Sequence, residues 1–431
     1  MRKLVGLYAG SNMLIEHPDY FDMLKEEIGL THILGGGTYK LLDETWAKNP
    51  MPPGGEQFAP SCGGDDDSAL RQAIDIAHNK GLQVWIGGGG WHGGGERYPE
   101  LCMRDMHDRP ISEVPRLRYA REQPAMAYCP SNQAVNEWLR SIFSEVAATY
   151  EVDGFDLTHC RYTAPSFLHN LFGCGCPRCA SLAGERGYDF EKMRSSILTF
   201  WERIQHLDAR AVREAGKRGL GVLDFPQWLG IDSGIAEWFE FRAGVIASNL
   251  KCFKESVYEA AGRDIVFGCD TFPATFSVLV GHSYRDFMEW SDYTSTLLPH
   301  VEYFIHTTFA PYADLLSQWT EGLEEADALR FVYRLFGYDH LDMPQSLEEF
   351  GYESLGMPDC EAKCKALYDI VELELWRARL YNTGEIPSYP VIKGAVWAPE
   401  IVKGLVDAAE RIGHEGIIFQ GTSSLVDYPG I

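Results

Sequence analysis

The chain has 431 residues, of which 45% are hydrophobic and 13% aromatic. This composition provides a large buried core and excludes disordered and fibrous proteins. The formal net charge is −24, so nucleic acids and anionic membrane surfaces would be repelled and we expect neither as a partner. Eleven irregularly spaced cysteines indicate reduced thiols rather than a disulfide framework, and no apolar run approaches the roughly 20 residues of a membrane span. We therefore expect a cytoplasmic protein.

Eight short apolar runs alternate with helical patterns along the chain, which is typical of repeated βα units around a parallel sheet. The first run breaks before Gly10, which predicts a strand rather than an export signal. Eight such strands predict an α/β fold of the (β/α)8 TIM barrel type. The runs are KLVGLYA from Lys3, THILGG from Thr31, LQVWIGG from Leu82, VDGFDLT from Val152, DIVFGCD from Asp264, YTSTLLP from Tyr293, VIKGAVW from Val391 and GIIFQG from Gly416.

Amphipathic helical patterns lie between the strands, most clearly at residues 66–79, 133–150, 235–261 and 400–412. The links from helix to strand are short, whereas the links that follow strands 2, 3, 4 and 6 are long. In such a barrel the long links all leave from the C-terminal face, where sites form. We therefore expect the functional site on that face. The alternative is that the long loops serve as lids or as contacts in a homo-oligomer.

Residues 1–431 are predicted to form a single barrel domain with two insertions. The first insertion, residues 159–230, contains a zinc-knuckle-like cysteine motif, a long helix and the segment GLGVLDFP, which has the composition of a ninth strand. The second, residues 301–388, contains strong helical patterns and predicts a helical subdomain over the C-terminal face.

Three closely spaced cysteines, Cys174, Cys176 and Cys179, lie in the segment FGCGCPRCASL. Their spacing brings three sulfur atoms within reach of one ion, and structural zinc takes a fourth ligand to complete a tetrahedron. Cys129 is the best candidate, because it precedes the helix that leads into strand 4 while the motif follows strand 4. Four thiolates leave no open position, so zinc here would hold the loop without activating water. Free cysteines are the alternative, and a disulfide is disfavoured in a reducing compartment.

This order of motifs resembles the zinc site of the glycoside hydrolase family 42 β-galactosidases. The sequence matches that pattern at Cys129, Cys174, Cys176, Pro177 and Cys179. Neighbouring segments, among them YEVDGFDLTHCRY and EWFEFRAGVIASNL, are similar to barrel families described as hypothetical glycosyl hydrolases, with the best match over residues 120–300. The resemblance implies a barrel with glycosidase activity and a structural zinc ion.

The end of strand 4 departs from these families. Family 42 enzymes carry an Asn-Glu pair there, with the glutamate as acid/base, and many of the hypothetical hydrolases have an aspartate at the position of Thr158. Residues 156 and 158 face the same inward side of a strand, so the carboxylate of Asp156 lies one pleat deeper. Catalytic assignments from these families therefore do not transfer directly.

Two carboxyl groups are required for glycoside hydrolysis, one to protonate the leaving oxygen and one to act as nucleophile or to activate water. Asp156 ends strand 4 and Asp270 ends strand 5. Neighbouring strands lie about 4.8 Å apart, so these side chains are predicted to meet at the short separation of a retaining pair. Asp156 could instead be a buried acid paired with Arg161 or a backbone amide. Asp270 could instead cap a helix or a turn before Pro273.

Further polar candidates follow strands 4 and 6. His159 is a candidate acid/base, although a lone histidine is more often merely hydrogen-bonded. Arg161 is a candidate clamp for a sugar hydroxyl or carboxylate, with a salt bridge at the barrel rim as the alternative. After strand 6, His300 is a candidate substrate ligand, and Glu302 is a reserve second carboxylate unless it lies on a helix surface.

Sugar rings present apolar C–H faces that stack on aromatic side chains. Several aromatic residues follow strands on the side where such a platform would form, and packing inside the protein is the alternative for each. The candidates are Tyr8 after strand 1, Trp91 and His92 after strand 3, and Trp397 after strand 7.

Together these features predict a glycoside hydrolase that acts on a small glycoside or oligosaccharide. One alternative is a lyase or isomerase for a sugar acid on the same barrel, in which His159 and Arg161 would matter more than a carboxylate pair. Another is a non-catalytic carbohydrate-binding protein, suggested by Thr158 at a position where relatives carry an acid.

Overall fold

Eight short strands form the centre of the molecule. The structure, a computed structural model, describes residues 3–51, 66–91, 98–113, 118, 128–165, 170–221, 224–351, 366–383 and 386–428. The strands are β1 Leu4–Tyr8, β2 His32–Gly35, β3 Gln83–Gly89, β4 Gly154–Thr158, β5 Val266–Thr271, β6 Ser295–Thr296, β7 Val391–Lys393 and β8 Gly416–Gln420.

All neighbouring strands are parallel, and their order in the sheet is β6-β5-β4-β3-β2-β1-β8-β7. The two edge strands are joined by single parallel bridges, from Thr294 to Ser388 and from Leu297 to Val391. The sheet therefore closes around the barrel axis, and the prediction of a (β/α)8 barrel is confirmed. Each strand overlaps the apolar run that predicted it, with β6 the shortest.

Helices surround this barrel and extend into both long insertions. The α-helices of the described residues are α1 Ser11–Glu16, α2 Pro18–Glu27, α3 Asp43–Trp46, α4 Ser68–Asn79, α5 Gln133–Thr149, α6 Pro177–Glu185, α7 Phe190–Ile204, α8 Ala209–Arg218, α9 Asp224–Leu229, α10 Gly234–Ala261, α11 Tyr284–Trp290, α12 Thr307–Trp319, α13 Glu325–Phe336, α14 Leu367–Asn382 and α15 Pro399–Ile412. A π-helical turn, Glu302–His306, precedes α12.

Local sequence explains where helices α5 and α15 begin and where α15 ends. The side chain of Asn132 accepts hydrogen bonds from the first amides of α5 and so caps it. Pro399 occupies the first turn of α15, where a missing N–H costs nothing, and Gly413 ends that helix in the left-handed region at φ 101°.

Large side chains fill the barrel interior. A separate buried cluster contains Trp85 and Tyr293, whose ring centroids lie 4.8 Å apart. Each ring faces a glycine on a neighbouring strand: a Cβ added to Gly154 would lie 2.6 Å from Trp85, and one added to Gly268 would lie 2.5 Å from Tyr293. The two glycines therefore make room for these two rings inside the barrel. The Tyr293 hydroxyl points from this cluster to Asp156, in the polar site.

One predicted element is corrected. The segment GLGVLDFP is not a ninth strand in its described part, because α9 begins at Asp224. Residues 159–230 contain α6 to α9, and residues 301–388 contain α12 to α14. Among the described residues, no helix combines the length and hydrophobicity of a membrane-spanning segment.

Candidate functional site

The two predicted carboxylates lie on neighbouring strands. Asp156 on β4 pairs in register with Gly268 on β5, so Asp270 is two residues further toward the C-terminal end. Asp270 is itself level with Ser295 on β6. Because side chains on one face repeat every two residues, Asp270 lies one pleat closer to the barrel mouth than Asp156.

A single phenol connects the two carboxyl groups. The hydroxyl of Tyr8, at the end of β1, lies 2.6 Å from Oδ2 of Asp156 and 3.0 Å from Oδ1 of Asp270. Tyr8 was predicted as a stacking platform for a sugar ring. In the structure its hydroxyl group instead bridges the candidate acid pair.

Two side chains from the start of strand 6 complete this cluster. The Tyr293 hydroxyl donates to Asp156 Oδ1 at 2.6 Å, and the Ser295 hydroxyl lies 3.3 Å from the same oxygen and 3.5 Å from Asp270 Oδ1. Neither residue was predicted as functional. The signal was present, because residues 293 and 295 occupy alternate positions of the predicted strand and so face the same side.

Both carboxyl groups are buried, with 1% of Asp156 and 8% of Asp270 exposed. Burial raises the pKa of Asp156, while hydrogen bonds from Tyr293, Tyr8 and Ser295 oppose the rise. Burial and the negative charge of Asp156 raise the pKa of Asp270 well above its ordinary value. Burial and the same charge raise the pKa of Tyr8 and of Tyr293, so both phenols stay neutral donors.

These environments give the two acids different proton affinities. Asp156 receives two short hydroxyl hydrogen bonds, which stabilise its anion. Asp270 lies beside that anion and binds a proton more tightly, because two adjacent carboxylates resist simultaneous ionisation. The pair is therefore arranged to hold one proton, on the group nearer the mouth. A neutral carboxylic acid of this kind can donate a proton to a leaving oxygen.

His159 and Arg161 follow β4 directly. His159 adopts a left-handed backbone conformation with φ 56°, which is uncommon for a residue other than glycine. Its Nδ1 atom lies 3.1 Å from the hydroxyl of Thr158. The Arg161 guanidinium stacks over the ring of Phe272 at 4.9 Å and donates to the carbonyl of Tyr162. Both residues lie within five positions of Asp156 in the sequence, just after β4.

Two predicted sugar platforms are buried instead. Trp91 and Trp397 have no exposed surface. The Trp91 indole donates to Asn136 on α5 at 2.7 Å and packs near Phe253 on α10, so it faces the outer helical layer. Neither indole ring presents a face at the mouth. His92, the other candidate after strand 3, lies outside the described residues.

The structure describes the candidates after strand 6 only in part. His300 is half-buried and contacts the rings of Tyr303 and Phe304. Glu302 begins the π-helical turn, and its side chain lies outside the described part of the structure.

The four predicted cysteines meet at one point. Their Sγ atoms all lie within 4.8 Å of one another and all four side chains are buried. Cys129 is 3.6 Å from Cys176 and 3.5 Å from Cys179, and Cys176 is 3.7 Å from Cys179. These distances are far longer than a disulfide bond of about 2.05 Å. All four cysteines are free thiols that could hold a metal ion.

The donor set fits zinc by size and chemistry. A tetrahedral zinc ion with Zn–S bonds of about 2.3 Å places its sulfur atoms about 3.8 Å apart. This is close to the three distances among Cys129, Cys176 and Cys179, and Cys174 Sγ lies within 4.8 Å of each. The chain supports the sulfurs through its backbone: the amide of Arg104 lies 3.3 Å from Cys174 Sγ, and Pro177 begins α6 directly after Cys176. The cluster thus joins the loop after β4 to the start of α5.

No family model matches the chain, and no curated protein matches it. The similarity of the cysteine site to that of family 42 therefore stays an expectation. Solved structures do match. The PgaB (BpsB) glycoside hydrolase domain from Bordetella bronchiseptica aligns over 100% of this chain and 96% of its own, with 9% identity and a TM-score of 0.50. This likeness shows the barrel fold.

Two further solved structures align over most of the chain. The catalytic domain of β-amylase from Paenibacillus polymyxa covers 98% of this chain and 93% of its own, with 10% identity and a TM-score of 0.48. A chitinase from Rhizomucor miehei aligns over 97% of this chain and 94% of its own, with 11% identity and a TM-score of 0.40.

Proposed function

We propose that the protein is a glycoside hydrolase that acts on a small glycoside or oligosaccharide. The observation that carries the proposal is the buried pair of carboxyl groups that shares the Tyr8 hydroxyl at the C-terminal ends of β4 and β5. A pair of acids with separated proton affinities is the functional unit of glycoside hydrolysis. The PgaB glycoside hydrolase domain has the same fold, which is consistent with this chemistry on such a barrel.

Asp270 is the proposed proton donor. In the forward step its proton moves to the glycosidic oxygen as the bond from that oxygen to the anomeric carbon breaks. The anion of Asp156, held one pleat deeper, offsets the positive charge that develops on the sugar ring. Water then adds to the anomeric carbon, and its proton returns to Asp270. Atoms balance, because one water molecule is consumed for each bond cleaved.

His159 and Arg161 are proposed to contact the substrate at the rim. The strained conformation of His159 is of the kind that persists where the surrounding structure holds a functional side chain in place. A guanidinium at this position binds sugar hydroxyls or a carboxylate substituent. His300 is a further candidate contact after β6.

We propose zinc as the ion held by Cys129, Cys174, Cys176 and Cys179. Four thiolates complete its coordination, so the ion would organise the loop after β4 and leave the acid chemistry to the aspartates. Purified protein is expected to contain one zinc ion per chain, and Cys176→Ser is expected to lose it. Metal-free wild-type protein purified under reducing conditions would contradict this part of the proposal.

Hydrolysis is tested by incubating the protein with a panel of 4-nitrophenyl glycosides in ¹⁸O-labelled water. Release of a reducing sugar that contains the label supports the proposal. An unsaturated product would indicate a lyase, and binding by calorimetry without any turnover would indicate a carbohydrate-binding protein. Either result would contradict hydrolysis.

Two variants connect the activity to the carboxyl pair. Asp270→Asn is expected to lower kcat by about 10²–10⁴-fold, the usual contribution of a general acid. Asp264→Asn is the matched control, because Asp264 is exposed and lies two residues before the start of β5, at the end of the strand away from Asp270. Equal activities of the two variants would exclude Asp270 as the acid.

A further inference from the structure

Arg242 on α10 is a buried charge that has no carboxylate partner among the described residues. None of its surface is exposed. Among the ion pairs that the described residues form, none includes Arg242. A buried charge without a compensating charge is strongly unfavourable, so this guanidinium requires an explanation.

Its hydrogen bonds satisfy only part of the guanidinium. Nη1 donates to the carbonyl of Leu171 at 2.8 Å and to that of Leu279 at 3.1 Å. Nε and Nη2 have no hydrogen-bond partner within the part of the chain that the structure describes. The guanidinium also lies 4.3 Å above the ring of Tyr162, whose buried hydroxyl likewise has no partner there.

Cysteines of the cluster act electrostatically on this pair whenever they are ionised. Besides Tyr162, Cys174 and Cys179 act on Arg242, and Cys179, Cys129 and Cys174 act on Tyr162. Burial lowers the pKa of Arg242 to about 10, so the side chain remains protonated at neutral pH. Four thiolates around a divalent cation carry net negative charge, which is the compensation that Arg242 lacks.

We propose that Arg242 is the counter-ion of the metal-loaded cysteine cluster and a positioning residue for its metal. The inference rests on the proposed metal site. It adds a role for Arg242, which is not itself a metal ligand. Arg242 also holds the carbonyl of Leu171, three residues before Cys174, so it fixes the approach of the cysteine loop as well as its charge. Residues that support metal ligands in this way tune metal affinity.

The test measures zinc affinity by competition with a chromogenic chelator on the full chain. Arg242→Met keeps the length of the side chain and removes the charge, and it is expected to weaken zinc binding about 10–100-fold. Arg242→Lys restores the charge and is expected to recover most of that loss. If Arg242→Met does not fold, Arg242→Gln replaces it as the uncharged variant, and a zinc affinity equal to that of Arg242→Lys would overturn the proposal.

Arg263→Met is the matched control. Arg263 follows α10 and also donates to backbone carbonyls, those of Ala147, Tyr150 and Val152 among them. Its loss should lower stability and leave zinc affinity unchanged. Equal affinities of Arg242→Met and Arg263→Met would overturn the counter-ion role, as would equal losses in Arg242→Met and Arg242→Lys.

Cobalt substitution adds a spectroscopic readout. The thiolate-to-cobalt charge-transfer bands report the electrostatic field at the sulfurs, and they are expected to shift in Arg242→Met but not in Arg263→Met. Unshifted bands would contradict the inference. Wild-type protein that binds neither zinc nor cobalt would instead contradict the metal site itself, so the two failures are distinguishable.

Discussion

At the scale of single residues, Asp270 is the most informative group, because burial, a neighbouring charge and hydroxyl hydrogen bonds together set its pKa. Burial and the charge of Asp156 raise its pKa, and hydroxyl donors only partly oppose them. An ordinary aspartate on the surface would be ionised at neutral pH. Here burial and the charge of Asp156 favour the protonated form of Asp270, one pleat above Asp156.

This environment predicts a pH-dependent stability. The folded protein keeps a proton on Asp270 that the unfolded chain releases near its ordinary pKa of about 3.9. The free energy of unfolding therefore falls as pH rises from that value through the raised pKa, by at most about 1.4 kcal/mol per pH unit for this group. Asp270→Asn removes this dependence, so the variant should gain melting temperature relative to wild type as pH rises.

The measurement is the melting temperature of both proteins at several pH values between 4 and 8, with Asp264→Asn as the control. A constant difference between Asp270→Asn and wild type across that range would show that Asp270 releases its proton normally.

A second prediction concerns the phenol that bridges the pair. Tyr8→Phe removes a hydrogen bond to an ionised group, which contributes about 1.5–3 kcal/mol. It should therefore destabilise the protein more than Tyr312→Phe, whose hydroxyl donates to the neutral carbonyl of Pro165 and contributes about 1 kcal/mol. It should also raise the pKa of Asp156 further, because a donor to its anion is lost.

Urea unfolding measures the two free energies, and infrared titration of the carboxyl bands measures the pKa. Equal destabilisation by the two variants would argue against an ionised Asp156.

At the scale of elements, the connection after β5 is tied to the helical insertion by another buried carboxylate. Glu374 on α14 has no exposed surface and accepts hydrogen bonds from the amide of Thr275, the hydroxyl of Tyr338 and the guanidinium of Arg377. Thr275 lies five positions after Asp270 in the sequence. This network therefore anchors the loop that leaves the candidate acid.

Breaking this network should be costly. Glu374→Ala leaves Arg377, of whose side chain only 12% is exposed, without its carboxylate, with an expected loss of about 3–5 kcal/mol. Glu372→Ala on the same helix removes an exposed ion pair with Arg411 and should cost less than about 1 kcal/mol. Urea unfolding compares the variants, and similar losses would mean that the buried network contributes no more than a surface pair.

The cysteine cluster acts at the same scale. It joins the loop after β4 to the start of α5, so two elements with distant positions in the sequence share one anchor. The sequence predicted that these four cysteines meet, because their spacing is typical of metal ligands. It did not indicate Arg242, because a lone arginine within a long helix carries no comparable pattern.

At the scale of the whole molecule, the barrel was predictable because its strands are short apolar runs separated by helical periodicity. The carboxyl pair was predictable for the same reason: strand ends and inward alternation place Asp156 and Asp270 together. The burial of Trp91 and Trp397 was not predictable. A position just after a strand does not decide whether a ring turns toward the mouth or outward between the helices.

Contacts that cross the barrel could not be predicted from the sequence either. The contacts of Tyr8 with both acids depend on β1 and β5 meeting across a closed barrel, since the two strands are not neighbours in the sheet. Periodicity identifies each strand but not the cross-barrel distance. For that reason the different environments of the two aspartates appear only in the structure.

The central claim is that Asp270 protonates the leaving group of a glycoside, and the leaving-group dependence of Asp270→Asn tests it most directly. With a poor leaving group such as an alkyl alcohol, the variant should lose about 10²–10⁴-fold in kcat/KM relative to wild type. With 2,4-dinitrophenolate, which departs without protonation, the loss should nearly vanish. An equal loss with both substrates would contradict the role of Asp270 as the acid.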